Sequence, residues 1–307
     1  MRQEIDESSW DQFITQESGN LNFKSDFLKY RVITEAIIDE SIGILSQDKL
    51  IAVVILFLNE KRQLAEPPRI LIAKGTKPHM VSEISRIAMA SLPLKENQIR
   101  FLKIDNWRAT AEVSDYTKEG NRQFNLVMDL EKVRQTGLKC ISRNHQRTIK
   151  KSLEISQITS IIDHTSDRDL MVASFERYRE AHKEAAGRQT RNGESFEYMC
   201  ELIVKEKAKL FVAITSGIEE SFLYCDYDSY SARGWSQANT ANLPEGRFPR
   251  TKLEWDAIQH FSKLGLARYH LGLTAMHVES LKMANIMGFK MRFHPELIPA
   301  QLELIVS

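Results

Sequence analysis

Between Leu50 and Leu58 the chain reads LIAVVILFL, nine unbroken apolar residues rich in β-branched side chains. This is its longest apolar run, and it falls far short of the ~20 residues that a membrane-spanning helix needs. With the polar residues Gln47, Asp48 and Lys49 before it and a further apolar run from Gly43, it predicts a buried strand within a β-hairpin over residues 43 to 59. A buried strand needs cover, and the flanking sequence offers helices. From Ser25 to Asp39 the apolar residues Phe27, Leu28, Val32, Ile33, Ala36 and Ile37 recur at three- and four-residue intervals, the spacing of an amphipathic helix. A short helix around Trp10 to Ile14 precedes it. After Pro67 and Pro68 the pattern predicts a strand over Arg69 to Ala73, a helix over Val81 to Leu92, and strands over Phe101 to Ile104 and Phe124 to Leu130.

The second half follows a similar programme. Helices are predicted over Asp167 to Ala186 and Ser195 to Glu206, and LFVAITSGIEESFLYCDYD at 210 to 228 predicts another hairpin. This is a weak internal repeat, and 307 residues are long for one core and comfortable for two. Further on, the pattern gives a strand over Ala232 to Ala238, a helix over Pro249 to Leu264 ended at Gly265, and a strand over Ala267 to Leu271. A helix over Val278 to Met287 closed by Gly288 and a strand over Phe289 to Phe293 complete it. An antiparallel hairpin beside parallel crossover units predicts an α/β protein with a mixed sheet.

Charge is informative only locally. Lys plus Arg number 42 against 41 Asp plus Glu, so net charge does not mark a nucleic-acid binder. Yet Lys132 to Lys151 holds seven cations in twenty residues, Lys132, Arg134, Lys139, Arg143, Arg147, Lys150 and Lys151, with no acid among them. A solvated helix face normally mixes signs; a strip of one sign attracts polyanions. In EGRFPRTKLEW, residues 245 to 255, Arg247, Arg250 and Lys252 surround a helix start, where free N–H groups favour anions. In HKEAAGRQTR, residues 182 to 191, Arg188 and Arg191 either capture a carboxylate or phosphate or stand as solvated arginines after a capped helix. Cys140, Cys200 and Cys225 show no C-x-x-C pairing, which argues against a disulfide framework or a zinc site. With acids at the start where a secretory signal needs cations, a cytoplasmic location is expected.

In LTAMHVESLKMANIMGFK, residues 273 to 290, Lys282 and Asn285 lie three apart and so share a helix face. Amine attack on an ester or thioester passes through a tetrahedral oxyanion, where one placed donor contributes about 3 kcal/mol. The alternative is a solvated lysine on a terminal helix. For a general base the sequence offers His145, His182, His260, His270 and His277 without singling one out. If the amine arrives neutral, the substrate itself manages the proton.

The run from Asn239 to Gly272, with Pro244 and Pro249, the helix LEWDAIQHFSKLGL and the strand RYHLG, resembles the GNAT-like fold of the FemAB group of peptidoglycan-bridge aminoacyltransferases. SRNHQRTIKKS at 142 to 152 looks like that group's basic helix joining two such domains. The resemblance implies two GNAT-like domains, each a mixed β-sheet flanked by helices: 1 to 130, a basic connecting helix over 131 to 152, and 153 to 307. It implies transfer of an amino acid from aminoacyl-tRNA to an amine of a peptide or cell-wall precursor, without metal or further cofactor. Lys282 would take the place of the lysine that steadies the developing charge. Asn285 would stand where many acetyltransferases keep a tyrosine general acid. Two departures stand out: the family lysine sits nearer its Phe-Gly pair, and Gln146, beside Arg147, occupies the place of a usual arginine. TANLPEGRFPRT has only Gly246 where acyl-CoA enzymes of this fold carry a glycine-rich pyrophosphate turn, which disfavours CoA. The alternatives are a CoA-dependent N-acyltransferase, acetyl or longer, and a non-catalytic anion-binding protein on the same fold. No integral membrane segment is expected, and peripheral membrane contact is left open.

Overall fold

The computed structural model describes residues 5–17, 20–91, 101–104, 123–241, 243–244, 247–275, 280–299 and 302–305. Packing divides the chain into two compact units. One comprises Met1–Asn125, Leu273–His277 and Ile298–Ser307; the other comprises Leu126–Gly272 and Val278–Leu297.

The first unit runs α1 (Glu7–Glu17), α2 (Ser25–Glu35), β1 (Ile38–Asp39), β2 (Ile42–Ser46), β3 (Lys49–Ile55), β4 (Phe57–Leu58), β5 (Arg69–Ile72), α3 (Pro78–Ser91) and β6 (Phe101–Ile104). Strands β2 and β3 are joined through Gln47 and Asp48, both at positive φ (49° and 58°), a two-residue turn whose twist suits a hairpin. The unbroken apolar run has a structural cause in β3, whose side chains alternate between two packed faces. Val53 and Ile55 meet Trp10, Phe13, Ile14 and Phe23, while Ala52 and Val54 meet Ile44, Ile72, Ile84 and Ala88. Burying a Val or Ile side chain contributes about 1.5–3 kcal/mol, so neither face tolerates a polar residue cheaply. The helix expected to reach Asp39 stops at Glu35. Ala36 turns left-handed (φ 50°, ψ 44°), and Ile38 and Asp39 pair antiparallel with β4 instead.

The second unit contains β7 (Gln123–Asp129) from Leu126 on, α4 (Leu130–Thr136), α5 (Arg143–Glu154), β8 (Ile158–Ile162), α6 (Arg168–Ala186), α7 (Gly193–Val204), β9 (Ala208–Thr215), β10 (Ile218–Tyr227), β11 (Ser231–Asn239), α8 (Pro249–Lys263), β12 (Arg268–Ala275) as far as Gly272, α9 (Leu281–Met291) and β13 (Glu296–Pro299) as far as Leu297. Its sheet has the order β13-β7-β12-β11-β10-β9-β8, with β8 to β11 antiparallel in succession and β11 parallel to β12. The β9–β10 turn repeats that of the first unit, with Ser216 and Gly217 at positive φ. Helix α8 packs on β9 and β10, and Leu253, Trp255, Ala257, Ile258 and Phe261 enter the core with Phe211, Tyr269 and Phe293. Because α4 and α5 also pack against α8, even its Thr251, Lys252, Glu254 and Ser262 are buried. Helices α6 and α7 pack on β11 and β9 respectively.

Three sequence expectations change here. The basic segment 131 to 152 is not one helix: Gly137 (φ 55°, ψ −138°) ends α4, a 3-10 turn spans Gly137–Cys140, and Ser142 caps α5 by accepting the His145 N–H. Helix α9 is not closed by Gly288 and runs through it to Met291. The strand expected over Phe289 to Phe293 is therefore replaced by the helix end, where Phe289 and Phe293, four apart, pack against each other and against His145. Finally, β8 and the last strand, β14 (Leu302–Ile305), had no sequence counterpart. β14 pairs antiparallel with β6 in the first unit's sheet, of order β14-β6-β5-β3-β2. Among the described residues no helix is long and apolar enough to cross a membrane.

Candidate functional site

Strands β11 and β12 are joined through α8 and run parallel, and among the described residues their registered pairs are Ser231 with Arg268, Ala232 with Tyr269, and Arg233 with His270. Both strands continue beyond that point. The carboxyl ends of parallel strands are where open α/β sheets form clefts, and a cleft of about 720 Å³ lies here. Its walls come from the end of α6 (His182, Ala185, Ala186), the end of β11 (Gln237 to Asn239), Arg250 at the start of α8, and Leu281, Lys282, Asn285 and Ile286 of α9.

Helix α9 begins at Ser280, whose hydroxyl accepts the Met283 N–H at 3.3 Å, and its other end is bound to α5. His145 Nε2 donates to the Phe289 carbonyl at 3.0 Å, and the Ser142 N–H donates to the Arg292 carbonyl at 2.9 Å. On this helix Lys282 and Asn285 are exposed and both line the cleft, one turn apart. Among the described residues neither side chain has a hydrogen-bond or ion-pair partner, so their donors are available to a ligand.

Of the three cations around the α8 start, Arg250 alone is on the cleft wall. Its guanidinium stacks 3.7 Å from the Phe289 ring centroid, and burial lowers its pKa while Glu254 acts the other way. Arg247 pairs with Glu220, which also accepts the Thr215 hydroxyl. Lys252 is buried and pairs with Asp256, whose carboxylate also accepts Thr159. Arg188 is exposed. Arg191 stacks over Phe196 and donates to His182 Nε2, so that nitrogen is the acceptor and Nδ1, 3.1 Å from the Thr190 hydroxyl, carries the hydrogen. Burial, and then the Arg191 charge, hold His182 down to about 4. His182 is thus neutral with both nitrogens engaged, a poor general base. His145 and His270 are buried and held down, His145 to about 4 and His270 to about 3, by desolvation first. Burial also lowers His260, whose ring packs on Phe211 and Phe261. His277 lies outside the described residues. Arg143, Arg147, Lys150 and Lys151 are all exposed along α5.

Next to Arg250 lies a polar cluster that no sequence pattern marks, apart from two glycines. The Glu254 carboxyl is buried, which raises its pKa, and it accepts the Tyr269 hydroxyl at 2.7 Å. A Cβ at Gly234 would stand 2.8 Å from both of those oxygens, so β11 needs glycine there. Lys290 reaches over β12 at Gly272, where a Cβ would stand 2.8 Å from Nζ. Gly272 has φ +101°, a conformation in which any other residue is strained.

No protein-family model matches this sequence, and no curated protein sequence matches it. Solved structures do. FemX superposes with a TM-score of 0.70 at 13% identity, covering 100% of this chain and 97% of FemX. The C-terminal domain of a putative lysylphosphatidylglycerol synthetase from Agrobacterium fabrum gives 0.64 at 13%, covering 98% of this chain and 91% of that one. L-PGS from Bacillus licheniformis gives 0.61 at 14%, covering 99% and 93%. Identities this low speak to architecture, and the architecture is the FemAB-like, GNAT-like fold.

Proposed function

We propose that this chain is an acyltransferase that moves an aminoacyl group, carried as an ester on tRNA, to an amine of a peptide or cell-wall precursor. The observation that carries the reading is the cleft beyond the paired ends of β11 and β12, lined by Lys282 and Asn285, whose donors have no partner among the described residues. The acceptor nitrogen attacks the ester carbonyl carbon and an oxyanion forms. The bond from that carbon to the ribose oxygen then breaks as the amide forms, and the proton lost by the nitrogen ends on the ribose oxygen. Lys282 and Asn285 donate to the oxyanion, where a placed donor acts more strongly than on the ground-state carbonyl. With His182 engaged by Arg191 and Thr190, the proton passes between the substrates themselves.

The exposed cations of α5 suit the phosphates of the donor. One structural neighbour is named as a lysylphosphatidylglycerol synthetase, so a lipid headgroup is a second acceptor class to test. The test supplies the purified chain with charged tRNA and amine acceptors and follows loss of the aminoacyl group from tRNA. The reading predicts acceptor-dependent discharge that Lys282→Ala slows; no discharge with any acceptor would sink it. One observation favours CoA-dependent N-acyl transfer instead: α8 follows β11 and, among the described residues, no side chain caps its N-terminus, an end whose dipole suits a pyrophosphate. Saturable stabilisation by acyl-CoA, and not by aminoacyl-tRNA, decides for that second reading.

A further inference from the structure

Most interior cations of the second unit have a counter-ion. Lys209 pairs with Asp163, Arg233 with Asp226, Arg247 with Glu220 and Lys252 with Asp256. Arg250 and Lys290 differ. Both are half-buried, and among the described residues neither has an ion-pair or hydrogen-bond partner. We propose that Arg250 and Lys290 form a binding site for one oxyanion group of the substrate, a carboxylate or a phosphate ester, at the inner wall of the cleft. The inference rests on this cleft being the substrate site, and does not require that an aminoacyl group be transferred there.

The argument is one of charge and access. Arg250, Lys290 and Glu254 lie close enough to act electrically: the Glu254 carboxylate favours the charged form of both cations, and Arg250 disfavours that of Lys290. One carboxylate thus faces two cations, and its Oε1 is already occupied by the Tyr269 hydroxyl. The cluster keeps an excess positive charge in a partly desolvated place, a costly arrangement that a bound anion relieves. Burial accordingly lowers the pKa of both cations. Access is through Arg250, which lines the cleft. Phe289 covers the face of its guanidinium, which leaves the N–H edge, the part that grips carboxylate and phosphate oxygens in pairs. Lys290 supplies the second charge, its ammonium lying in the space that Gly272 leaves open. Glu254 and Tyr269 are positioning residues in this scheme, and Gly234 makes room for them.

The experiment uses the full chain without donor or acceptor, so it reports on the anion site whether or not aminoacyl transfer is the reaction. Melting is followed at constant ionic strength, with inorganic phosphate or sodium acetate replacing chloride. At least one anion should stabilise the protein saturably, phosphate alone pointing to a phosphate ester and acetate alone to a carboxylate. Arg250→Met and Lys290→Met should each weaken that anion roughly tenfold or more, whereas the double variant Arg147→Met, Lys151→Met on α5 should not. Should Lys290→Met fail to fold, the wild type still answers: the effective anion should slow acetylation of Lys290 by acetic anhydride, read by peptide mass spectrometry, and leave Lys150 and Lys151 unaffected. Stabilisation by neither anion, stabilisation that survives in folded Lys290→Met, or labelling of Lys290 indifferent to the anion overturns the proposal.

Discussion

On α5, Arg143, Arg147, Lys150 and Lys151 stand in water, whereas Lys209, Arg233, Lys252 and Arg250 of the same unit are drawn into the fold. The difference follows from how many sides of each element are packed. Helix α5 buries only His145, Ile149 and Ser152, a single stripe at four- and three-residue spacing, so every cation falls on the free side. Helix α8 is enclosed by the sheet, α4 and α5, and its polar residues must find partners inside. Like charges thus serve opposite ends. Those on α5 are screened by salt and contribute little to stability, while those inside are screened weakly and are costly to leave alone.

The sharpest way to break this contrast is to strip an interior cation of its partner. Asp226→Ala leaves Arg233, itself buried, without the carboxylate that accepts its Nε at 3.0 Å, and should cost about 3–5 kcal/mol, read from the urea midpoint. If Asp226→Ala costs no more than a surface substitution, burial does not govern these charges. Acid should act through the same physics. Unfolded, His145 takes up a proton near pH 6.5; folded and desolvated, it does so only at about 4. Between those values the unfolded chain binds more protons, so stability should fall as pH falls through this window, by up to about 3 kcal/mol. His145→Gln, which keeps a donor for the Phe289 carbonyl, should flatten that part of the stability profile.

An exposed residue within the cleft tests the contrast from the other side. Lys282→Ala should leave the melting temperature nearly unchanged, because the side chain is exposed and has no partner among the described residues, yet lower kcat/KM about 10²-fold, or about 2.7 kcal/mol. An equal fall in stability would mean that Lys282 is a packing residue.

Where the signal was periodic, the fold was legible in the sequence. Both hairpins, the three strands from 210 to 239 and helix α8 follow from alternation, turn residues and apolar spacing, because those patterns report burial directly. The end of helix α9 is hidden from the sequence because Gly288 looks like a stop signal, but glycine serves as that signal by turning to positive φ, and Gly288 does not do so. β8 and β14 are short, and β14 is placed by pairing with a strand some two hundred residues earlier, a long-range event that no local pattern records. In the candidate site, Lys282, Asn285 and Arg250 were singled out by residue type and spacing and do line one cleft. Glu254, Tyr269 and Lys290 were not, since their meeting depends on which face of β12 opposes α8 and α9. The glycines that make room for them, Gly234 and Gly272, were the available clue.

The smallest effects should come from α5 itself. Arg147→Ala and Lys151→Ala, four apart on its exposed face, should each change stability by no more than about 0.5 kcal/mol. Their consequence should be confined to polyanions. If α5 tracks a phosphate backbone, tRNA affinity falls with salt because bound counterions are released, and each lost contact lowers the slope of log K against log salt by about one. The double variant should therefore flatten that slope by about two, with parallel loss of affinity for unrelated RNA duplexes, because backbone contacts carry no sequence information. Lys252→Met supplies the counter-test: its ammonium is buried against Asp256, so the slope should not move even though the protein becomes less stable. If the Lys252 variant and not the α5 pair changes the salt slope, the polyanion lies against α8, and the exposed strip is only a solvated face.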